Sequence, residues 1–234
     1  MYKCAIFDLD GTLLNTLPDL TDCVNQTLRH FGLPERKSED IMAFLGSGRT
    51  HLIRSASGID TQPRLEEICV WYDACYGANY RHLTHAYDGI ADALEQVQAA
   101  GIKMAVLSNK QHEMTVPLVA ECLPGIRFGA VFGQRPNVAL KPEAGAVTEI
   151  LDALGCTRDE CIYFGDSDVD VRTARNARVE MVAVTWGFRS VETLRKAGAV
   201  RFIHTPAEIP GVLCEASGVR RQASGDAGGA GSQC

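Results

Sequence analysis

Several things are missing from this 234-residue sequence, and each absence removes a class of protein. No stretch approaches the ~20 apolar residues that a membrane-spanning helix needs. The first ten residues place charge inside the first apolar run and lack the long apolar segment and small-residue cleavage site of a signal peptide, so a cytoplasmic address is expected. No C-x-x-C pair occurs among the nine cysteines, which argues against a structural zinc site of the usual spacing. Nine is also an odd number in a chain that is not short. Cys4, Cys69, Cys75, Cys156 and Cys161 mostly fall within apolar patterns and are expected to be reduced core residues. An excess of positive charge is absent too. The net charge of −6 argues against non-specific nucleic-acid or anionic-membrane binding and points to small molecules as ligands.

What is present is ordinary for a globular protein: 46% hydrophobic and 22% charged residues, in a chain long enough for one large domain or a domain with a substantial insertion. Cys4-Ala5-Ile6-Phe7 reads as a buried strand that ends abruptly in Asp8-Leu9-Asp10-Gly11-Thr12. Leu17, Leu20, Val24, Leu28 and Phe31 recur at spacings of three and four, with Pro18 near the start and Gly32 just beyond the end, and predict an amphipathic helix. Further helical patterns cover Ser38 to Leu45, Arg49 to Ala56 and Arg64 to Tyr80 with no convincing strand among them, so residues 16–85 read as an all-helical insertion. From Asp88 onward helical and strand patterns alternate. Strands are expected at Met104–Leu107, Cys161–Phe164 and Met181–Val184, each apolar throughout as when helices cover both faces. The prediction is an α/β doubly wound parallel sheet over residues 1–15 and 86–214, with a helical cap at 16–85. Residues 215–234, rich in Gly and Ser, are expected to form a disordered tail.

In open parallel sheets ligands sit outside the carboxyl ends of the strands. There this sequence carries Asp8 and Asp10, then Ser108-Asn109-Lys110, then Lys141-Pro142 ahead of a helix, then Gly165-Asp166-Ser167-Asp168-Val169-Asp170. These four sites, in this order, resemble the haloacid dehalogenase superfamily over roughly residues 1–205, and the helical insertion is similar to the cap of its phosphoglycolate phosphatase branch. The resemblance implies a Rossmann-like core and a phosphatase that passes the phosphoryl group through an aspartyl-phosphate. It implies Asp8 as nucleophile, Asp10 as general acid and base, Lys141 as the motif lysine, Ser108 and Asn109 as the phosphate-binding motif, and Asp166 with Asp170 as the acidic metal motif.

Physical chemistry supports those roles. A phosphoryl transition state carries dispersed negative charge, so carboxylates can work beside it only if cations neutralise the site. Lys141 and a bound metal would meet that need. Asp8, Asp166 and the carbonyl of Asp10 are hard oxygen ligands suited to Mg²⁺, with Asp170 either in the metal shell or orienting Lys141. Gly11 lets the backbone turn tightly around the phosphate, beside Thr12. The resembling phosphatases carry Asp-Gly-Thr here, where related phosphomutases often carry Val, and dehalogenases of the superfamily lack the second aspartate. Phosphoglycolate is the leading substrate. A sugar phosphomutase and a non-catalytic phosphate-binding regulator are the alternatives, and the chain is expected to be a monomer or homodimer acting on a small phosphorylated metabolite.

Each feature has a plainer explanation. Ser108-Asn109 can cap a helix starting near Gln111, and Lys141 can simply precede a Pro-started helix. Asp166-x-Asp168-x-Asp170 mimics the start of a calcium loop, but Val171 occupies the required Gly position and Ala177 the required Glu position. Asp168 reads as a solvated first-turn helix residue, and His82-x-x-His85 is assigned no function. Trp186-Gly187-Phe188-Arg189 either walls the site or packs as an ordinary loop. Gly46-Ser47-Gly48-Arg49 either holds backbone donors and one guanidinium over the site, with Arg49 binding a substrate carboxylate, or forms a turn before a solvated helix. Residues 127–139 show no clear periodicity.

Overall fold

The computed structural model describes residues 2–215. Beyond Glu215 the expected tail lies outside the described residues. The elements run β1 (Cys4–Phe7), β2 (Leu14–Asn15), α1 (Leu17–His30), α2 (Ser38–Phe44), α3 (Arg49–Ser57), α4 (Arg64–Asn79), β3 (His85–Ala86), α5 (Ile90–Ala99), β4 (Lys103–Gln111) and α6 (His112–Cys122). They continue with β5 (Ala130–Gln134), α7 (Gly145–Leu154), β6 (Cys161–Gly165), α8 (Asp168–Ala177), β7 (Glu180–Val184), α9 (Val191–Ala197), β8 (Phe202–Ile203) and α10 (Ile209–Glu215).

Six strands form one sheet in the order β5-β4-β1-β6-β7-β8, and every pairing is parallel. The central strands are buried on both faces, and their alternation assigns each side chain. Ala5 and Phe7 of β1, Met104 and Val106 of β4, and Ile162 and Phe164 of β6 pack on one side with α5, α6 and α10. Cys4 and Ile6, Ala105 and Leu107, and Cys161 and Tyr163 pack on the other with α7 and α8. The Phe7 and Phe164 rings stack with centroids 5.0 Å apart, an offset aromatic pair worth about 0.5–1.5 kcal/mol beyond its burial. This sets the register of β1 against β6 beneath the carboxylates that follow them.

Within this sheet two strands, β5 and β8, go beyond the four expected from sequence, and the two-residue β2 and β3 were not expected either. In β5 only Ala130 and Gly133 are buried while Val131 and Phe132 are half-exposed, so neither an apolar run nor a clean alternation marks it. Strand β8 has two residues and pairs only with β7.

Helices α1–α4 lie between β2 and β3, which pair antiparallel as Leu14 with Ala86 and Asn15 with His85. Helix α1 buries Leu20, Cys23, Val24, Thr27 and Leu28, the stripe expected of a 3.6-residue period. It packs on α4 through one apolar cluster that continues into the face of the sheet holding Phe7 and Phe164. The helical layer therefore sits above the carboxyl ends of the strands, with a cavity between the two that Asp8, Asp10, Asn109 and Lys141 line from below.

Candidate active site

Asp8 continues the line of β1: its N–H donates to the Phe164 carbonyl at 2.9 Å, which aims the carboxylate out of the sheet end. The chain then doubles back, the amides of Leu13 and Leu14 both donating to the Leu9 carbonyl at 3.0 Å. Gly11 has φ +92°, and a Cβ there would lie 2.4 Å from the Asp166 carboxylate, so only glycine fits both the backbone and the approach. Asp170 is placed by a capping box at the start of α8. Its N–H donates to Ser167 Oγ at 3.2 Å, and its Oδ2 accepts from the Ser167 N–H at 3.1 Å and hydroxyl at 2.6 Å.

Lys141 joins the two sides. Its Nζ lies 2.6 Å from Asp8 Oδ1 and 2.8 Å from Asp170 Oδ1, and Tyr163 Oη adds a hydrogen bond to Asp170 at 3.1 Å. All four groups are buried. Burial alone would lower the Lys141 ammonium, but the charges of Asp170 and Asp8 outweigh it and hold it well above its usual value. Burial, then the charge of Asp170, push the Asp8 carboxyl well up despite Lys141. Burial and Asp170 likewise push Asp166 up to about 7.

Asp8, Asp166 and Asp170 offer carboxylate oxygens within 4.8 Å of one another. Of the three, Asp166 meets only neutral donors: Thr12 Oγ1 at 3.2 Å and the Phe188 N–H at 2.6 Å. Three buried carboxylates with one ammonium among them form an acidic cluster of hard oxygens whose donor chemistry fits a divalent cation. The carboxylate of Asp10 is not in that cluster. It sits in an ion pair with Lys110 Nζ at 2.8 Å and accepts from Ser108 Oγ at 3.3 Å.

The structure gathers Asp8, Asp10, Ser108, Asn109, Lys141 and Asp166 around one cavity, but it revises three expectations. The Asn109 side chain was expected to donate to phosphate. Instead its amide hydrogens go to the carbonyls of Gly46 at 2.9 Å and Lys141 at 3.0 Å, while its Oδ1 accepts from the Lys141 N–H at 2.8 Å. Asn109 is thus a brace for the Lys141 backbone. The Thr12 hydroxyl donates to Asp166 at 3.2 Å, so its side chain orients a carboxylate. Arg49 reaches the cavity, but its guanidinium is paired with Asp73 and lies 3.4 Å from Glu66. Both acids stand on α4, so of the two readings of Gly46-Ser47-Gly48-Arg49 the one with an unpaired guanidinium over the site does not describe this arrangement. Asp168, half-exposed in the first turn of α8, pairs with Arg172 at 2.6 Å and lies 3.6 Å from Arg189.

Residues 186–189 wall the site. Trp186 Nε1 donates to the Thr12 carbonyl at 3.0 Å, the Phe188 N–H holds Asp166, and Arg189 donates to the carbonyls of Met42 at 2.7 Å and Leu45 at 2.6 Å in the helical layer. A Cβ on Gly187 would lie 2.3 Å from Asp166 Cβ and 2.4 Å from the Gly11 carbonyl. Gly187→Ala is therefore expected to destabilise the protein by about 1–3 kcal/mol through overpacking, measured as a lower urea midpoint. A wild-type midpoint would show that this wall yields.

Buried carboxylates gathered around one ammonium at the carboxyl end of a parallel sheet, roofed by helices, are the site of a hydrolytic enzyme of the α/β class. Residues 5–184 match the haloacid dehalogenase-like hydrolase family. Phosphoglycolate phosphatase 1 of Pseudomonas aeruginosa is 30% identical, aligned over 80% of this chain and 70% of its own length. A phosphoglycolate phosphatase of Haemophilus influenzae is 28% identical over 80% of this chain and 87% of its own. Among solved structures, a protein from Lactobacillus delbrueckii subsp. bulgaricus superposes with a TM-score of 0.85 at 32% identity, covering 91% of this chain and 98% of its own. This chain belongs to the haloacid dehalogenase-like hydrolase family.

Proposed function

We propose that the protein hydrolyses a small phosphate monoester, 2-phosphoglycolate foremost, through an aspartyl-phosphate on Asp8, with residues 16–85 acting as the cap that encloses the substrate. The observation that carries this reading is Lys141, buried and bridging Asp8 and Asp170: its ammonium holds the nucleophilic carboxylate in place and supplies positive charge where the phosphoryl group must arrive. The relatives named as phosphoglycolate phosphatases point to the substrate.

In this mechanism Asp8 Oδ attacks phosphorus while the ester P–O bond breaks. Asp10, beside Ser108 and Lys110, must take up a proton before the step, gives it to the leaving alkoxide, and as the resulting carboxylate takes a proton from the water that cleaves the aspartyl-phosphate, releasing inorganic phosphate. Ser108 offers a neutral hydroxyl to the phosphate. Asp8, Asp166 and the main-chain carbonyl of Asp10 would hold Mg²⁺, with Asp170 fixing Lys141. Bound there, the ion would neutralise phosphate charge and hold the transferring group in line. Cap and core would enclose the reaction and exclude water other than the one that reacts.

Hydrolysis of a panel of phosphate monoesters with Mg²⁺ and with EDTA tests the assignment. Release of phosphate from 2-phosphoglycolate only with metal is the expected result, and full activity after chelation contradicts it. A second readout is independent of turnover. Without metal, folded Asp166 keeps its proton up to about pH 7 while the unfolded chain loses it near about 3.9, so its contribution to stability falls as pH rises between those values. Because a cation binds the ionised carboxylate, the rise in Tm on adding Mg²⁺ should be small at about pH 5 and larger at about pH 8. An identical shift at both pH values, or none, would contradict a metal held by the buried carboxylates of Asp8 and Asp166.

A further inference from the structure

Four cations border the cavity between cap and core, and they differ in what they are matched to. Lys141 lies between Asp8 and Asp170. Arg49 is paired with Asp73 and approaches Glu66. Arg189 is turned onto the carbonyls of Met42 and Leu45 and approaches Asp168. The fourth is Lys110, the last but one residue of β4 and therefore mounted on the rigid sheet. Its side chain is only 6% exposed, yet among the described residues its single carboxylate partner is Asp10 at 2.8 Å. The other polar atom it meets is the Tyr76 hydroxyl at 2.8 Å, and the ammonium also lies 4.8 Å from the centroid of the Tyr76 ring. An ammonium carries three donors, and among the described residues only the contact with Tyr76 has the geometry of a hydrogen bond, so donor capacity is left for a ligand.

The position matters as much as the vacancy in its donor set. Asp10 has to reach the ester oxygen of the substrate to protonate it, so whatever touches Asp10 on the cavity side lies beside the leaving group. In 2-phosphoglycolate the carboxylate is joined to that ester oxygen through a single methylene, and it cannot lie far from Asp10 in any pose that lets Asp10 work. The cavity that Lys110 borders is walled in part by apolar and aromatic residues, Leu20, Tyr72, Tyr76 and Met114. Such a wall excludes water and strengthens an ion pair formed against it.

We propose that Lys110, held by Tyr76, is the specificity-determining residue that recognises the second anionic group of the substrate, a carboxylate on the carbon next to the phosphoester methylene oxygen, in the place expected of Arg49. This rests on the phosphoglycolate reading above. It assigns selection of the substrate's anionic end to the core sheet, with the cap contributing Tyr76 as the support for the ammonium.

The test compares kcat/KM for 2-phosphoglycolate with that for ethyl phosphate, which has the same phosphoester and no carboxylate, in wild type and in K110M, K110R, Y76F and R49A. Wild type should favour 2-phosphoglycolate. K110M should lose about 10- to 150-fold more on 2-phosphoglycolate than on ethyl phosphate, chiefly in KM, as expected for one charge-assisted contact. K110R should keep most of the preference, Y76F should lose part of it, and R49A should keep it. Equal losses by K110M on both substrates would mean that Lys110 only places Asp10, and a preference lost in R49A would return recognition to Arg49; either result overturns the proposal. Should K110M not fold, a Y76F preference equal to wild type overturns it as well. A wild-type enzyme that hydrolyses ethyl phosphate as well as 2-phosphoglycolate overturns the substrate reading itself, and the wild-type measurement alone separates that failure from the others.

Discussion

Asp8→Asn should leave a folded protein with turnover reduced by at least about 10⁴-fold, because the amide keeps the shape of the carboxylate but has no anionic oxygen to attack phosphorus. The fold should survive for an electrostatic reason. Asp8 stands among Asp166 and Asp170, and its neutralisation removes one like charge from the cluster while Lys141 keeps Asp170 as counter-ion. A Tm within a few degrees of wild type, with no burst of phosphate-labelled enzyme on mixing with substrate, is the expected pair of results. A folded variant retaining a tenth of wild-type kcat would exclude covalent catalysis through Asp8.

Lys141→Met should be costly in a second way. Removing the ammonium leaves Asp8 and Asp170 facing each other without the cation that lies 2.6 and 2.8 Å from them. Breaking a buried pair from one side costs about 3–5 kcal/mol, because the remaining charge is left without compensation. Activity should fall together with stability. The informative control is Asp170→Asn in the same background, which removes one of the two stranded carboxylates and should recover part of the lost urea midpoint without recovering turnover. A double variant no more stable than Lys141→Met would mean that Lys141 contributes packing and little electrostatics.

The parallel core was legible because its central strands are unbroken apolar runs: Cys4-Ala5-Ile6-Phe7 and Cys161-Ile162-Tyr163-Phe164 are buried at every position, and only two covering layers of helix require that. Edge strand β5 was not legible, since half-exposed Val131 and Phe132 lie between buried Ala130 and Gly133 and give no periodic signal. At the site, residue types were legible and hydrogen-bond directions were not. An asparagine near the carboxyl end of β4 suggests a donor to phosphate, but nothing local in the sequence says that its amide hydrogens go to Gly46 and to Lys141, far along the chain in opposite directions. Arg49 fails for the same reason. Its charge is visible in the sequence, whereas its neutralisation depends on how α3 packs against α4, which brings Asp73 to it. Lys110 stood in view beside Ser108 and Asn109. Its role depends on the partners that the fold supplies, Asp10 and Tyr76. For residues 186–189 the sequence leaves a wall of the site and an ordinary loop equally open, because the tight approach of Gly187 to Asp166 needs a three-dimensional distance to be seen.

The short ribbon of β2 with β3 ties the entrance and exit of the helical layer at one point, Leu14 against Ala86 and Asn15 against His85. Topologically the sheet meets those four helices as a single hairpin turn. The entropy of closing so long a detour grows only with the logarithm of its length, about 0.6 kcal/mol for each doubling, so the chain can lengthen or shorten within the detour at little cost to strand pairing below. The ribbon is then a seam at which the helices above the site can vary in length while the aspartates at the sheet end keep their places.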